Sequence, residues 1–421
     1  MNITLEKPVY GGDCLGHVAG KAIFVPLTLP KESVTAHLTE EKRSFAKTEL
    51  DAILVASPNR VQPKCPHFGV CGGCHYQHAE YPTQLALKQQ ILRETLTRAN
   101  VPIPAEIGTL SAEPWAYRNR IRLALTGNGE IAYRSRRSHD LIAIRECPIA
   151  APLLLRTATQ VAAFLLKNSI PVSELELFTN QDESELLLTL FTETALASDT
   201  HQWLASLQAA LLPQESSLRL QLNDHSLNPR ILASIGQSLL NYTAADFSYR
   251  VDQGAFFQVN RHLIDDFANL VMGSHSGNLA WDLYAGVGLF ARRLSTRFAQ
   301  VTAVEISSAS QAALEQNLAG TNAQPIASTT LDYLRRNRQE REPRPDLIIL
   351  DPPRAGLGDQ VTSLLNAIHA PAMVYVSCDP TTLARDLRQL TQERYIVQNV
   401  TLVDMFPQTF HLETVVHLRH S

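Results

Sequence analysis

Two side chains near the end of the sequence have the types and neighbours that covalent catalysis demands. Cys378 follows the apolar run "APAMVYVS" and precedes Asp379, Pro380 and an amphipathic helical stretch, so it stands where a buried strand opens towards a helix. Free cysteine ordinarily packs as a small hydrophobe. At an open strand end, however, a thiol that ionises is a nucleophile. Glu413 lies inside the apolar, strand-like run "HLETVVHL", where an acid is costly unless it has a partner or a task. Edge strands often carry glutamates, but beside a nucleophile this one would serve as a general base.

The other thiols form a second constellation. Cys65, Cys71 and Cys74 make a C-x5-C-x2-C pattern, and Cys147 in "IRECPI" is followed by proline, as cluster cysteines often are. Six cysteines in 421 residues are too few for a disulfide scaffold. Four thiolates suit a four-iron four-sulfur centre. Zinc would accept the same four, or three of them with His67, His75 or His78. Spacing leaves both open, and Cys14 needs no role beyond core packing.

Both constellations need elements to position them. From about residue 256 strands alternate with helices, the pattern of a parallel α/β sheet. "LAWDLYAGVGLFARRLS" reads as strand, glycine turn and helix, with Gly286 and Gly288 allowing close backbone approach to a ligand. Glu305 ends the next strand 17 residues past Gly288, near the ~20 expected of a carboxylate that bonds ribose hydroxyls. A nicotinamide dinucleotide and S-adenosylmethionine both fit, because Ala291 at the third glycine position is tolerated by the dinucleotide fingerprint. The following strand ends favour the methyl donor. Asp332 in "TTLDYLRRN" suits an adenine amino group, or else a helix cap. Asp351 opens "DPPRAG" after the fourth strand, and Arg354 replaces the aromatic that amino-group methyltransferases place there.

The rest of the chain reads as two further units. Residues 1–56 alternate short apolar segments with glycines, as in a five-strand barrel of the oligonucleotide-binding sort. Residues 57–255 hold the thiols and α+β elements. Within 115–147 seven arginines face three acids beside Trp115, Tyr117 and Tyr133, which reads as a nucleic-acid surface or a solvated sheet face. The net charge of −4 excludes nothing. Lacking an apolar leader and any ~18-residue apolar run, the sequence predicts a soluble, cytoplasmic protein with no membrane partner.

The motifs "CPHFGVCGGCHYQH", "FFQVN", "DLYAGVGLFA", "VEIS", "LDPPRAG", "VSCDPTTLARDL" and "HLETVVHL" together make the chain resemble, over nearly its whole length, the uridine-5 RNA methyltransferases, in particular the iron-sulfur branch acting on ribosomal RNA. The resemblance implies a TRAM barrel at 1–56, a central iron-sulfur and RNA-binding domain at 57–255, and a Rossmann-like class I methyltransferase domain at 256–421. It implies Cys378 as nucleophile, Glu413 as base, and Cys65, Cys71, Cys74 and Cys147 as [4Fe-4S] ligands. Gln258, Tyr284, Glu305 and Asp351 would line the S-adenosylmethionine site, with Asp332 near the adenine and Leu289 contributing its backbone. A monomer acting on a uridine of 23S ribosomal RNA is the expectation. The rivals are a transfer RNA uridine, a cytosine-5 methyltransferase, and a non-catalytic RNA-binding module. Cys14 departs from the glycine that relatives more often carry.

Overall fold

Five strands, Asn2–Pro8, Asp13–Val18, Lys21–Pro26, Ser33–Glu41 and Phe45–Val55, close into a barrel. The first strand alternates exposed and buried positions, placing Ile3 and Leu5 in a core shared with Val25 and Val34. Gly16 is required by crowding: a Cβ there would lie 2.6 Å from the Thr4 carbonyl oxygen. Cys14 is buried in this core and its thiol donates to the Thr28 carbonyl at 3.2 Å. The computed structural model describes residues 1–194, 200–211, 215–223, 230–244, 246–340 and 343–421.

A seven-stranded sheet follows, ordered Ile231–Ile235, Glu215–Leu222, Glu185–Thr192, Glu174–Thr179, Arg120–Leu125, Ile131–Arg134, Leu141–Ala143. Helices Pro152–Lys167 and Thr200–Leu211 pack on it through a leucine-rich core.

The third body is an eight-stranded sheet. Numbered along the chain from Gly277–Leu283, its last seven strands run 3-2-1-4-5-7-6. The first five, Gly277–Leu283, Phe298–Glu305, Ala323–Ala327, Leu347–Leu350 and Ala372–Ser377, are parallel. The central strands Leu347–Leu350 and Ala372–Ser377 are almost wholly buried, as strands covered on both faces must be, while the edge strand Ala323–Ala327 is only partly so. The last strand, Glu413–His420, inserts antiparallel between Ala372–Ser377 and Tyr395–Val403. This reversal brings its first residue to the edge where its parallel neighbours have their last.

The expected central segment is not continuous with one sheet. Strand Gly108–Leu110 joins the edge of the large sheet beside Tyr395–Val403, and helix Tyr81–Arg98 packs against helix Pro380–Glu393. A fully buried ion pair, Lys88 Nζ to Asp404 Oδ1 at 2.6 Å, fastens that helix to the segment before Glu413. Among the described residues no helix is long and apolar enough to cross a membrane.

Candidate active site and thiol cavity

The strand order reverses between Gly277–Leu283 and Leu347–Leu350, and a ligand crevice forms at the carboxyl ends beside such a switch point. The turn leaving Gly277–Leu283 is tightly wound: Tyr284 has φ +73°, Gly286 +57° and Gly288 +92°. Backbone N–H groups of Tyr284 and Ala285 both donate to the Val304 carbonyl. Glu305 clamps the turn from the neighbouring strand, accepting from the N–H groups of Gly286 (2.8 Å), Ile306 (2.8 Å) and Ser307 (2.6 Å). Three of its roughly four acceptor sites are thus taken. Leu289 opens the short helix Leu289–Leu294 and is buried, with a first-turn N–H that has no intrahelical partner. Gln258 is half-buried on the loop before helix Ile264–Met272, its carbonyl held by the Asn119 side chain at 3.0 Å.

Asp332 lies in the first turn of helix Thr330–Glu340. Its carboxylate accepts from the Thr329 hydroxyl at 2.7 Å while its own N–H donates back to that oxygen at 3.0 Å, a capping arrangement. The side chain is otherwise 60% exposed. Tyr284, half-buried, interacts with Thr330 at the same helix start.

Strand register assembles the other half of the crevice. Leu350 pairs with Tyr375, and Ser377 with Thr414. Asp351, Cys378 and Glu413 are therefore the residues at the open ends of three adjacent strands. Burial raises the Glu413 carboxyl well above the usual range, and the neighbouring Asp351 raises it further; Arg354 opposes both. Burial raises Asp351 too. The Cys378 thiol is pushed up to about 11 by burial, Glu413 and Asp351, again against Arg354. The thiol is half-buried. Burial and the two acids thus disfavour the thiolate, and Arg354 favours it.

Asp379, the next residue, caps helix Pro380–Glu393 by accepting from the N–H groups of Thr381 and Thr382 at 2.9 and 3.1 Å. Its second oxygen accepts from Tyr10 of the barrel at 3.3 Å. Tyr10 also meets Phe410 edge-on at 5.4 Å, and Phe410 meets His411, which contacts Arg354. The barrel thus reaches the strand-end cluster.

Cys65, Cys71, Cys74 and Cys147 line one cavity of about 210 Å3. One sulfur accepts a hydrogen bond, Cys71 from Gly73 N–H at 3.4 Å; polar groups stand near the others, His67 and Phe68 N–H by Cys65, Gln77 by Cys74, and Ala150 N–H with the Tyr133 hydroxyl by Cys147, each easing the thiolate against burial. The buried Gln77 amide nitrogen has no partner meeting full hydrogen-bond geometry. Among the described residues no three His, Cys, Asp or Glu side chains converge as they would on a single metal ion.

The arginines of 115–147 are largely committed within the protein. Arg137 pairs with Asp13 at 2.7 Å and Arg136 with Glu49, both acids of the barrel. Arg122 pairs with Glu174 at 2.6 Å, and Arg120 is buried over the Phe178 ring. Alternation puts Arg118, Arg120 and Arg122 on one face; partners as distant in sequence as Glu174 and Phe178 cannot be read from it. Arg136, Arg137, Arg122 and Arg134 still border a cavity of about 720 Å3 between barrel and central sheet, with Phe410 at its edge.

Two residues of the site were missed. Asp282, fully buried, accepts from Ala291 N–H at 2.8 Å with one oxygen and leaves the other unpartnered, and burial pushes it up to about 8. The rule that singled out Glu413, an acid in an apolar run, would have found it. Gln408 carried no sequence signal.

A doubly wound sheet with a glycine turn and strand-end acids at its switch point defines a methyltransferase fold. Similarity to known proteins narrows this. Residues 80–333 and 341–421 match the model of the tRNA (Uracil-5-)-methyltransferase family. An RNA methyltransferase of Aquifex aeolicus, named as uncharacterized, is 30% identical over 99% of this chain and 98% of its own length. The 23S rRNA (uracil(1939)-C(5))-methyltransferase RlmD of Shewanella piezotolerans is 31% identical over 99% and 94%. The crystal structure of Pyrococcus abyssi tRNA (uracil-54, C5)-methyltransferase in complex with S-adenosyl-L-homocysteine superposes with a TM-score of 0.79 at 24% identity, covering 99% of this chain and all of that one. The chain belongs to the tRNA (Uracil-5-)-methyltransferase family and is an RNA uracil-5 methyltransferase.

Proposed function

We propose that the protein methylates carbon-5 of a specific uridine in 23S ribosomal RNA, with S-adenosylmethionine as donor. The adjacency of Cys378 and Glu413 across two paired strands carries this reading. Carbon-5 of uracil is a poor nucleophile. Addition of the Cys378 thiolate at carbon-6 forms a C–S bond and an enolate, whose carbon-5 takes the methyl group as the donor's S–CH3 bond breaks. Glu413 then accepts the carbon-5 proton, the C–S bond breaks, and the thiolate is restored. The donor's sulfonium would add a second positive charge to the cluster, so donor binding would favour the thiolate. Arg354 lowers the same thiol from the other side. The target base must leave its stack to enter, least costly where it is unpaired.

The glycine turn with Glu305, Tyr284, Leu289, Gln258, Asp332 and Asp351 would seat the donor. Cys65, Cys71, Cys74 and Cys147 would hold a [4Fe-4S] centre, a reading supported by their lining one cavity with the Gly73 N–H bonded to the Cys71 sulfur. The barrel would act as a TRAM domain. Ribosomal RNA is preferred over transfer RNA on the names of full-length relatives. Mapping 5-methyluridine in total RNA from cells lacking the protein tests the choice: one ribosomal site should vanish, and loss from transfer RNA alone would contradict it.

A further inference from the structure

The loop between Val403 and Glu413 is held more tightly than an exposed connection needs. Asp404, Met405, Gln408, Thr409 and Leu412 are buried. Gln408 is the joint of this network. It is 1% exposed and sits at φ +69°, a conformation that side chains other than glycine adopt only where surroundings impose it. Its carbonyl accepts two hydrogen bonds from the thiol loop, from His75 N–H at 2.8 Å and Tyr76 N–H at 3.0 Å. His75 directly follows Cys74. A second, independent contact joins the same two segments, the His75 ring meeting Phe410 edge-on at 4.6 Å.

The Gln408 side chain is fixed from a third direction. Its backbone N–H donates to Gln84 Oε1 at 3.1 Å, and Gln84 Nε2 donates to Gln408 Oε1 at 2.9 Å. Gln84 lies on helix Tyr81–Arg98, which also anchors Asp404 through Lys88. Five residues beyond Gln408 the chain enters the last strand at Glu413. The strand carrying Cys378 is paired on both sides, with Leu347–Leu350 and with Glu413–His420, and ends at the Asp379 cap; among the described residues the thiol loop makes no backbone hydrogen bond to it and reaches it through the rings of His75, Phe410 and Tyr10 and the Tyr10 bond to Asp379.

We infer that Gln408 is a positioning residue for Glu413, through which the loop bearing Cys71 and Cys74 sets the proton-removal step and leaves thiol addition alone. The inference rests on the proposed mechanism, and it assigns the thiol loop a consequence for one step of the reaction. In that mechanism methylation precedes removal of the carbon-5 proton, so a displaced base leaves a methylated covalent adduct that cannot eliminate.

The test separates formation from decay of that adduct, using purified full-length protein, S-adenosylmethionine and in-vitro-transcribed 23S ribosomal RNA, quenched in time and resolved under denaturing conditions. Glu413→Gln is the reference and should hold the adduct. Gln84→Ala should leave the rate of adduct formation near that of the wild type and slow its decay by up to ~10²-fold, as small misplacements of a catalytic group do. Gln408→Gly, which keeps the backbone bonds and relieves the positive φ, repeats the test without a helix truncation. Formation and decay falling together, or an unchanged covalent fraction in the Gln84 and Gln408 variants while Glu413→Gln retains its adduct, would overturn the inference. No adduct in Glu413→Gln would instead overturn the mechanism beneath it.

Discussion

The protein holds thiols in two settings built by opposite means. Cys378 is placed by strand register, at the end of the fifth strand of a parallel sheet, with carboxyl groups on both sides. Cys14 aside in the barrel core, the other four are placed by loops, with polar N–H or O–H groups near their sulfurs and one hydrogen bond, from Gly73 to Cys71. Burial raises the thiols in both places, to about 11 at Cys378 and about 12 at Cys74. The neighbours then differ in kind: two acids oppose ionisation at Cys378 against Arg354, whereas in the cavity the thiols oppose one another and nearby N–H and O–H groups ease it. On the proposed reading, a cationic centre would neutralise thiolates in the cavity, and the donor's sulfonium would ease ionisation of the strand-end thiol.

The difference has consequences that can be broken one at a time. The largest is expected for Cys378→Ala: methyl transfer to RNA should fall by at least ~10⁴-fold, as when a covalent nucleophile is removed, while RNA retention on a filter stays unchanged. Residual methylation near the wild-type rate would return Cys378 to a packing role. Next, Glu413→Gln should cut multiple turnover by ~10²–10⁴-fold, the usual range for a general base, without preventing a first round of attack. Steady-state methylation kinetics read this directly.

A smaller effect should appear in the cavity, where Cys71→Ser and Cys147→Ser should lose bound iron and ~2 kcal/mol or more of unfolding free energy, because ligand binding to such a site is also folding energy. Iron assay with denaturant titration checks both. In contrast, Glu413→Gln should stabilise the protein at pH 8. The folded carboxyl is raised above its unfolded value, so its favourable contribution is complete below about pH 4 and is lost as pH climbs towards the raised value. The advantage of the variant should shrink on acidification, and an advantage growing below pH 5 would reverse the sign of the account. The smallest change is expected for Tyr10→Phe, which removes one long hydrogen bond to Asp379 at 3.3 Å and should cost about 0.5–1 kcal/mol in thermal unfolding.

Much of the catalytic sheet was legible because its strands are short apolar runs separated by helical periods, and their ends carry the polar residues. Glu305, Asp351 and Cys378 could be placed at strand ends on that basis alone. The adjacency of Glu413 to Cys378 could not. It depends on the last strand inserting antiparallel between two others, a pairing chosen by contacts far apart in sequence. The same limit hid the edge strand Gly108–Leu110 and the barrel acids that take up Arg136 and Arg137. Asp332 shows the converse. The sequence offered an adenine contact and a cap, and the structure places it in a capping pair with Thr329.

Covalent capture tests the central claim most directly. Ribosomal RNA carrying 5-fluorouridine cannot release fluorine as it would a proton, so with S-adenosylmethionine present the enzyme should stop as a methylated adduct. Digestion and mass spectrometry should locate that adduct on the peptide containing Cys378. An adduct on another residue, or no adduct while donor and RNA are both bound, would contradict the account.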